Sequence, residues 1–360
     1  LSLPSALPGL GLTPALAEAF APYEKDGLAP GRVVAAHTPR LLRVGMADAE
    51  RLAGVAGSLW HAAASPLDLP AVGDWVAVRR SEESHRPVVQ AVLPRRTAFV
   101  RRAPGERTAA QVLAANVDTV FLVVGLDRDF NLRRLERTLV LAWESGAEPV
   151  VVLNKADLAA SSLDVRRAEV AGVAAGVPLL VLAAKHGQGL DALAPWLVAG
   201  RTVALLGSSG VGKSTIVNRL LGQEKQRTQE VRDTDQRGRH TTTHRELVAL
   251  PGGALLLDTP GLREIQLWSA GAGLDAAFDD IVSLAAACRF RDCGHGTEPG
   301  CAVRAAAEEG RLDPRRLESF RKLQRELRAL EVREDPLRRR EERGRWKAIH
   351  KAMRKDAKRG

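Results

Sequence analysis

At 360 residues and 38.7 kDa the chain is longer than one hydrophobic core usually organises, which points to two or three domains. A composition of 45% apolar and 27% charged residues is that of a soluble globular protein and excludes collagenous and disordered classes. The net charge of +10 lies entirely in the tail: residues 311–360 hold 19 of the 53 Lys/Arg and 9 of the 43 Asp/Glu, leaving 34 of each sign before them.

Residues 1–27, rich in Pro, Ala and Leu, are expected to form a flexible extension with one short helix near 15–20. They lack the basic-then-apolar layout of an export signal, which suits a cytoplasmic protein, although the first residue is Leu1 rather than Met. From 28 to about 105, alternating segments at 32–37, 41–44, 72–78 and 87–93 are separated by Gly, Pro and Ser. That spacing predicts a small β-barrel of the OB type, an architecture with many roles.

Residues 106–270 change period. Buried strands are expected at 117–124, 149–153, 178–182 and 202–206. Helices are expected at 132–143, with Leu132, Leu135, Leu139 and Trp143 on one face, and at 168–175 and 190–198. Strands alternating with helices predict βαβ units and a mainly parallel sheet, with a hairpin at 245–257 added antiparallel. The longest charge-free apolar stretch, residues 170–184, is broken by glycines and Pro178 and is too short to cross a bilayer. Residues 271–335 are helical, with Leu317, Phe320, Leu323, Leu327 and Leu330 at spacings of three and four. The stretch 336–360 is a basic tail, the footprint of a polyanion partner.

Four short segments carry chemistry. Gly207, Ser208, Ser209, Gly210, Val211, Gly212, Lys213 and Ser214, followed by Thr215, match a phosphate-binding loop between a strand and a helix. The glycines let backbone N–H groups turn onto phosphates, Lys213 reaches the β- and γ-phosphates, and the Ser214 hydroxyl ligates Mg²⁺. Asn154, Lys155, Ala156 and Asp157 end a strand, and a carboxylate there accepts from guanine N1–H and its amine, a donor pair adenine lacks. Ala184, in a loop after another strand, is expected to offer its N–H to guanine O6. Asp258 and Gly261 end the hairpin, where the acid would hold Mg²⁺ through water and Gly261 would approach the γ-phosphate.

Between these loops, residues 237–243 read Gly-Arg-His-Thr-Thr-Thr after Arg237, a switch segment in which one threonine completes the magnesium shell. Leu262 stands where many small GTPases place a water-orienting glutamine, so His240 is the candidate for that catalytic role, with Lys213 beside it. Cys288, Cys293, His295 and Cys301 supply three thiolates and an imidazole within fourteen residues, a set suited to one structural zinc ion. His61, His85 and His186 have no such company and are taken as surface or barrel residues. The base-reading motif precedes the phosphate loop, so the central domain is a circularly permuted P-loop GTPase domain.

The permuted order, the Gly-Arg-His-Thr-Thr-Thr switch, the cysteine–histidine cluster, Gln-Val-Leu-Ala-Ala-Asn-Val-Asp at 111–118 and Val-Gly-Asp-Trp-Val at 72–76 together resemble the circularly permuted, small-ribosomal-subunit-dependent GTPases of the RsgA family. The likeness covers residues 28–330, with Ala183 where that family more often has Ser. It implies a multi-domain fold: an N-terminal OB-like barrel, a central α/β GTPase domain and a C-terminal, mostly helical zinc-binding domain. It also implies hydrolysis of GTP to GDP, stimulated by the small (30S) subunit late in its maturation, with contacts to 16S rRNA. No membrane partner is expected, and the chain is taken as a monomer. Two other classes stay open: a zinc-stabilised RNA-binding protein that hardly turns over, which subunits would not stimulate, and a kinase, which would prefer ATP.

Overall fold

The computed structural model describes residues 7–80, 86–102, 110–222, 245–258 and 271–334. Helix α1 (Pro14–Lys25) is started by Thr13, whose hydroxyl accepts the Leu16 N–H at 3.3 Å, and by Pro14, whose missing N–H is not needed in the first turn. Here the structure departs from the flexible extension expected over 1–27. Leu10, Leu16 and Phe20 are buried against Trp75, Ala77 and Leu93. Covering apolar side chains of this size stabilises by about 1.5–3 kcal/mol each, which is why the segment is fastened to the barrel.

The barrel is formed by β1 (Ala29–Thr38), β2 (Leu41–Gly45), β3 (Glu50–Val55), β4 (Trp75–Arg79) and β5 (Val88–Val92), with the short helix α2 (Gly57–Ala62) between β3 and β4. β1 pairs with β2, β2 with β3, β3 in parallel with β5, β5 with β4, and β4 returns to β1, so the barrel closes. Register shifts between Val33 and Ala35 and between Ala36 and Thr38 bend β1 enough to serve several neighbours. β3 and α2 were not expected. The Glu50–Val55 segment carries a single β-branched residue and no aromatic one, and the six residues of α2 span less than two helical turns.

β6 (Ala98–Arg102) and β7 (Ala110–Ala115) form an antiparallel ribbon whose pairing runs across the boundary expected at 105. Next come β8 (Thr119–Gly125), α3 (Leu132–Ser145), β9 (Glu148–Asn154), α4 (Leu163–Val173), β10 (Leu179–Val181), β11 (Thr202–Leu206), α5 (Lys213–Leu221), β12 (Glu246–Ala249) and β13 (Leu255–Asp258). Here the sheet order is β10-β9-β8-β11-β13-β12, parallel except for β12, which pairs antiparallel with β13 as the hairpin pattern predicts and, at Glu246 opposite Ala35, with β1 of the barrel. Successive residues of the central strands are buried on opposite faces, Leu122 and Leu153 on one side and Phe121 and Val152 on the other. Burial on both faces explains the near-continuous apolar runs of these strands. The helix expected at 190–198 is a 3-10 helix over Leu190–Trp196, with Pro195 inside it.

Two motifs of the family resemblance prove to be one joint. Gly73 has φ +93°, and a Cβ there would lie 2.0 Å from Ala115 O, so only glycine fits where the barrel meets β7. Asn116 donates to Gly73 O at 3.1 Å and accepts the Arg96 N–H at 3.0 Å. Asp118 accepts from Arg96 at 2.9 Å and from the Thr202 N–H, at the start of β11, at 2.7 Å. Arg32, fully buried, donates to Leu10 O, Gly73 O and Asn116 O, joining α1's entry turn, the barrel and the sheet.

The C-terminal helices are α6 (Gly271–Ala277), α7 (Asp279–Ala285), α8 (Ala302–Glu308) and α9 (Pro314–Glu334). Leu317, Phe320, Leu323 and Leu327 of α9 are buried, as their spacing predicts. On α3 the expected face is only partly apolar in practice: Leu135 and Leu139 are buried, Trp143 is exposed, and Glu136 is buried. No helix among the described residues is long and apolar enough to cross a membrane.

Candidate functional site

The parallel strands bring the motifs to one end of the sheet. Asn154 closes β9 opposite Gly125 of β8, and Leu206 closes β11 opposite Leu122 of β8. β11 and β13 are neighbours, with Ala204 beside Leu257, so the phosphate loop and Asp258 leave adjacent strands in the same direction. This is the carboxyl end of the strands, where open α/β sheets bind ligands.

Asn154 is the hub. Its buried side chain donates to Val211 O in the phosphate loop at 2.9 Å and accepts the Ala184 N–H at 3.1 Å. Three segments distant in the chain are thereby stitched together. The Ala184 N–H expected to face guanine O6 is engaged by Asn154 in this structure. Gly212 has φ +98°, and a Cβ on it would lie 2.2 Å from Asn154 Nδ2. The third loop glycine is thus required by the Asn154 side chain as well as by backbone conformation.

Lys213, at the start of α5 and 8% exposed, donates from Nζ to Gly207 O at 2.6 Å and Ser208 O at 2.5 Å, so the ammonium rests on its own loop. Ser214 and Thr215 follow it in the first turn of α5, half-buried, while Ser209 and Gly210 at the loop tip are exposed. Ala156 and Asp157 form a 3-10 turn entered through Lys155, which sits at φ +64°. Asp157 Oδ2 lies 3.6 Å from Nε2 of His186, so that histidine, taken from sequence as a surface or barrel residue, borders the Asp157 carboxylate.

Three residues not singled out from sequence complete this frame. Lys155 Nζ forms an ion pair with Asp127, which follows β8. Partial burial opposes ionisation of Asp127, but the hydrogen bonds from Lys155 and from the Asp129 N–H hold its carboxyl below the usual range. Arg219 of α5 donates to Ala184 O at 3.2 Å and Lys185 O at 2.6 Å, bracing the loop that carries Ala184. Arg134 of α3 donates to Ser208 Oγ at 2.8 Å. None has a spacing signal, because each contact depends on packing between elements. Asp258 ends β13 with its backbone opposite Glu246. His240, the switch threonines and Gly261 lie outside the described residues, as does the basic tail.

The second site lies between α7 and α8. The four ligand atoms of Cys288, Cys293, His295 and Cys301 fall within 4.8 Å of one another. Nδ1 of His295 is 3.7 Å from Cys288 Sγ and 3.5 Å from Cys301 Sγ, and those two sulfurs are 4.0 Å apart. Tetrahedral bonds of about 2.3 Å to sulfur and about 2.0 Å to nitrogen require separations of roughly 3.8 and 3.5 Å, so the cluster fits a metal ion. His295 takes φ +55°, and Glu298 holds its flanks by accepting the Gly294 N–H at 3.1 Å and the Gly296 N–H at 2.6 Å. Although the His295 backbone favours its thiolate, burial and the two neighbouring cysteines push the Cys293 thiol up to about 11. A cation removes that conflict.

A glycine-rich loop feeding a helix, an Asn-Lys-x-Asp motif at the same end of the sheet and an inverted motif order define a circularly permuted P-loop GTPase. The RsgA GTPase family profile matches residues 92–268. The small ribosomal subunit biogenesis GTPase RsgA of Opitutus terrae is 52% identical over 97% of this chain and 97% of its own. The solved structure of YjeQ from Thermotoga maritima, 27% identical, superposes with a TM-score of 0.63 over 83% of this chain and 98% of that one. YloQ, described as a circularly permuted GTPase, shares the fold with a TM-score of 0.62 at 22% identity, over 84% of this chain and 96% of its own. This chain belongs to the RsgA GTPase family and is a GTP hydrolase.

Proposed function

We propose that this GTP hydrolase works in biogenesis of the small ribosomal subunit, acting late in its maturation, stimulated by the subunit and contacting 16S rRNA. The Opitutus terrae relative is a small ribosomal subunit biogenesis GTPase, and that supports the setting, since the two chains align over nearly their whole lengths. The observation that carries the chemistry is the Asn154 hub. One asparagine holds the phosphate loop and the Ala184 loop, so base and phosphates are read by a single frame.

In this reading Asp157 pairs with guanine N1–H and the exocyclic amine, with Lys155 anchored by Asp127 alongside. Guanine O6 takes over the Ala184 N–H. The N–H groups of residues 207–215 face the phosphates, and Lys213 leaves the Gly207 and Ser208 carbonyls for the β- and γ-phosphates. Mg²⁺, which neutralises charge on the phosphates, would be held by Ser214 and Asp258; both are hard oxygen donors, one in the first turn of α5 and one at the end of β13, the neighbour of the strand that leads into that helix. His240 orients the attacking water. The ion of the Cys3His site is zinc and structural, since three thiolates and an imidazole close a tetrahedron. Residues 28–105, 106–270 and 271–335 act as barrel, GTPase and metal-binding domains, and the basic tail meets RNA. The protein acts in the cytoplasm as a monomer.

Phosphate release from GTP, titrated with purified small or large ribosomal subunits, tests this. Stimulation by the small subunit alone is the expected result. Turnover indifferent to both would overturn the ribosomal reading while leaving the hydrolase intact.

A further inference from the structure

Arg134 lies in the first turn of α3, its N–H capped by Asn131 Oδ1 at 3.1 Å, and its guanidinium donates to Ser208 Oγ at 2.8 Å. Ser208 is the second residue of the phosphate loop, and its carbonyl receives Lys213 Nζ. Two cations therefore hold the same residue, one on its main chain and one on its hydroxyl. Their fates differ once phosphates arrive. Lys213 has to abandon the carbonyls of Gly207 and Ser208, whereas a contact made to the hydroxyl persists.

A residue that positions a loop has to project from a fixed support. Around Arg134, α3 is tied to α9 at three places. Arg133 pairs with Glu318 at 2.5 Å, Arg137 with Glu326 at 2.6 Å, and Glu136 with Arg316 at 3.1 Å. The last pair is buried, and Arg316 is itself gripped by Asp280 at 2.6 and 2.8 Å and by Ala277 O at 2.9 Å. The helix carrying Arg134 is thus braced by the C-terminal helices.

We propose that Arg134 is a positioning residue of the GTP site: through the Ser208 hydroxyl it holds the entry of the phosphate loop while Lys213 transfers from the loop carbonyls to the phosphates. The inference rests on the reading of residues 207–215 as the phosphate cradle. It needs no ribosomal partner, so its failure and that of the ribosomal role are read in different assays.

The test is a double-mutant cycle of Arg134→Ala and Ser208→Ala, with Arg134→Lys as the rescue, in the full chain. GDP affinity is measured by calorimetry and KM by GTP hydrolysis without ribosomes. Each alanine variant should raise Kd for GDP and KM for GTP together, about fivefold, as expected for loss of one solvent-exposed hydrogen bond of ordinary strength. The double variant should be no worse than the poorer single, and Arg134→Lys should recover part of the loss. Three results would overturn the proposal: wild-type affinity in Arg134→Ala, additive losses, or a loss in Arg134→Ala that Ser208→Ala does not share. The last would signal direct phosphate contact. Melting curves without nucleotide separate this from a structural role, which would lower Tm to the same extent with and without GDP.

Discussion

Asn154 and Gly212 are so close that neither can be understood alone. With Gly212 Cα facing the asparagine amide, an added methyl would have to overlap Nδ2 at 2.2 Å, in a backbone region disfavoured for L residues. Gly212→Ala should therefore weaken GDP binding by more than about tenfold, a cost of about 1–3 kcal/mol, measurable by calorimetry. Asn154→Asp keeps the size but loses the donor to Val211 O and sets two acceptors facing each other. Leaving a buried carbonyl unpaired costs about 1–3 kcal/mol, which urea unfolding would register as a lower midpoint.

Asp127 offers a pH test at the same scale. Its carboxyl is held below the usual range despite burial, by Lys155 and the Asp129 N–H. A group with a depressed folded pKa contributes stability above its unfolded value and loses it as pH falls through the folded one. Between about pH 5 and about pH 3, the wild type should therefore lose more stability than Asp127→Asn. Parallel curves would show that the ion pair with Lys155 contributes nothing.

Among the elements, α3 has the most divided duties. One residue reaches the phosphate loop, and the buried Glu136 meets Arg316 of α9. Burial pushes the Glu136 carboxyl up, against the pull of Ser319 and Arg316, which together favour the anion. Arg316→Met leaves that carboxylate without its partner and should destabilise the docked C-terminal helices by about 3–5 kcal/mol. Adding Glu136→Leu should restore much of this, because the paired charges are replaced by apolar packing. Hydrogen exchange on α9 distinguishes the two variants. The short metal loop is the complementary case. It has few apolar residues of its own, and its order depends on four ligands converging. Metal stripping with a chelator and reductant should expose all three thiols to a thiol reagent and loosen α7 and α8, while nucleotide affinity changes little.

At the scale of the whole molecule, one contiguous apolar core runs from the barrel (Val33, Val76) through the sheet (Leu122, Leu153) to the C-terminal helices (Phe278, Phe320), and polar contacts fasten the three parts at fixed points. Arg32, Asn116 and Asp118 form one such point, and α3 with α9 another. The charge is arranged differently: the body is balanced and the surplus lies after residue 310. Deleting 336–360 should flatten the dependence of log affinity for small subunits on log salt, because fewer counterions are released on binding. An unchanged slope would show that the tail takes no part in the proposed subunit binding.

The chemistry was largely legible in the chain because the groups that define it are local. Eight residues at 207–214, four at 154–157 and four ligands within fourteen residues carry their function in adjacent side chains, and the strands between them announce themselves by apolar runs. What tertiary structure alone decided is which distant groups meet. Arg134 finds Ser208 across 74 residues, Lys155 finds Asp127 across 28, and Arg316 finds Glu136 across 180. The fastening of α1 onto Trp75 belongs here too, since nothing in residues 1–27 reveals the surface they cover. A periodic pattern specifies which face of an element is buried, but a hydrogen bond between elements depends on their relative position to within a few tenths of an ångström, and only the folded packing sets that distance.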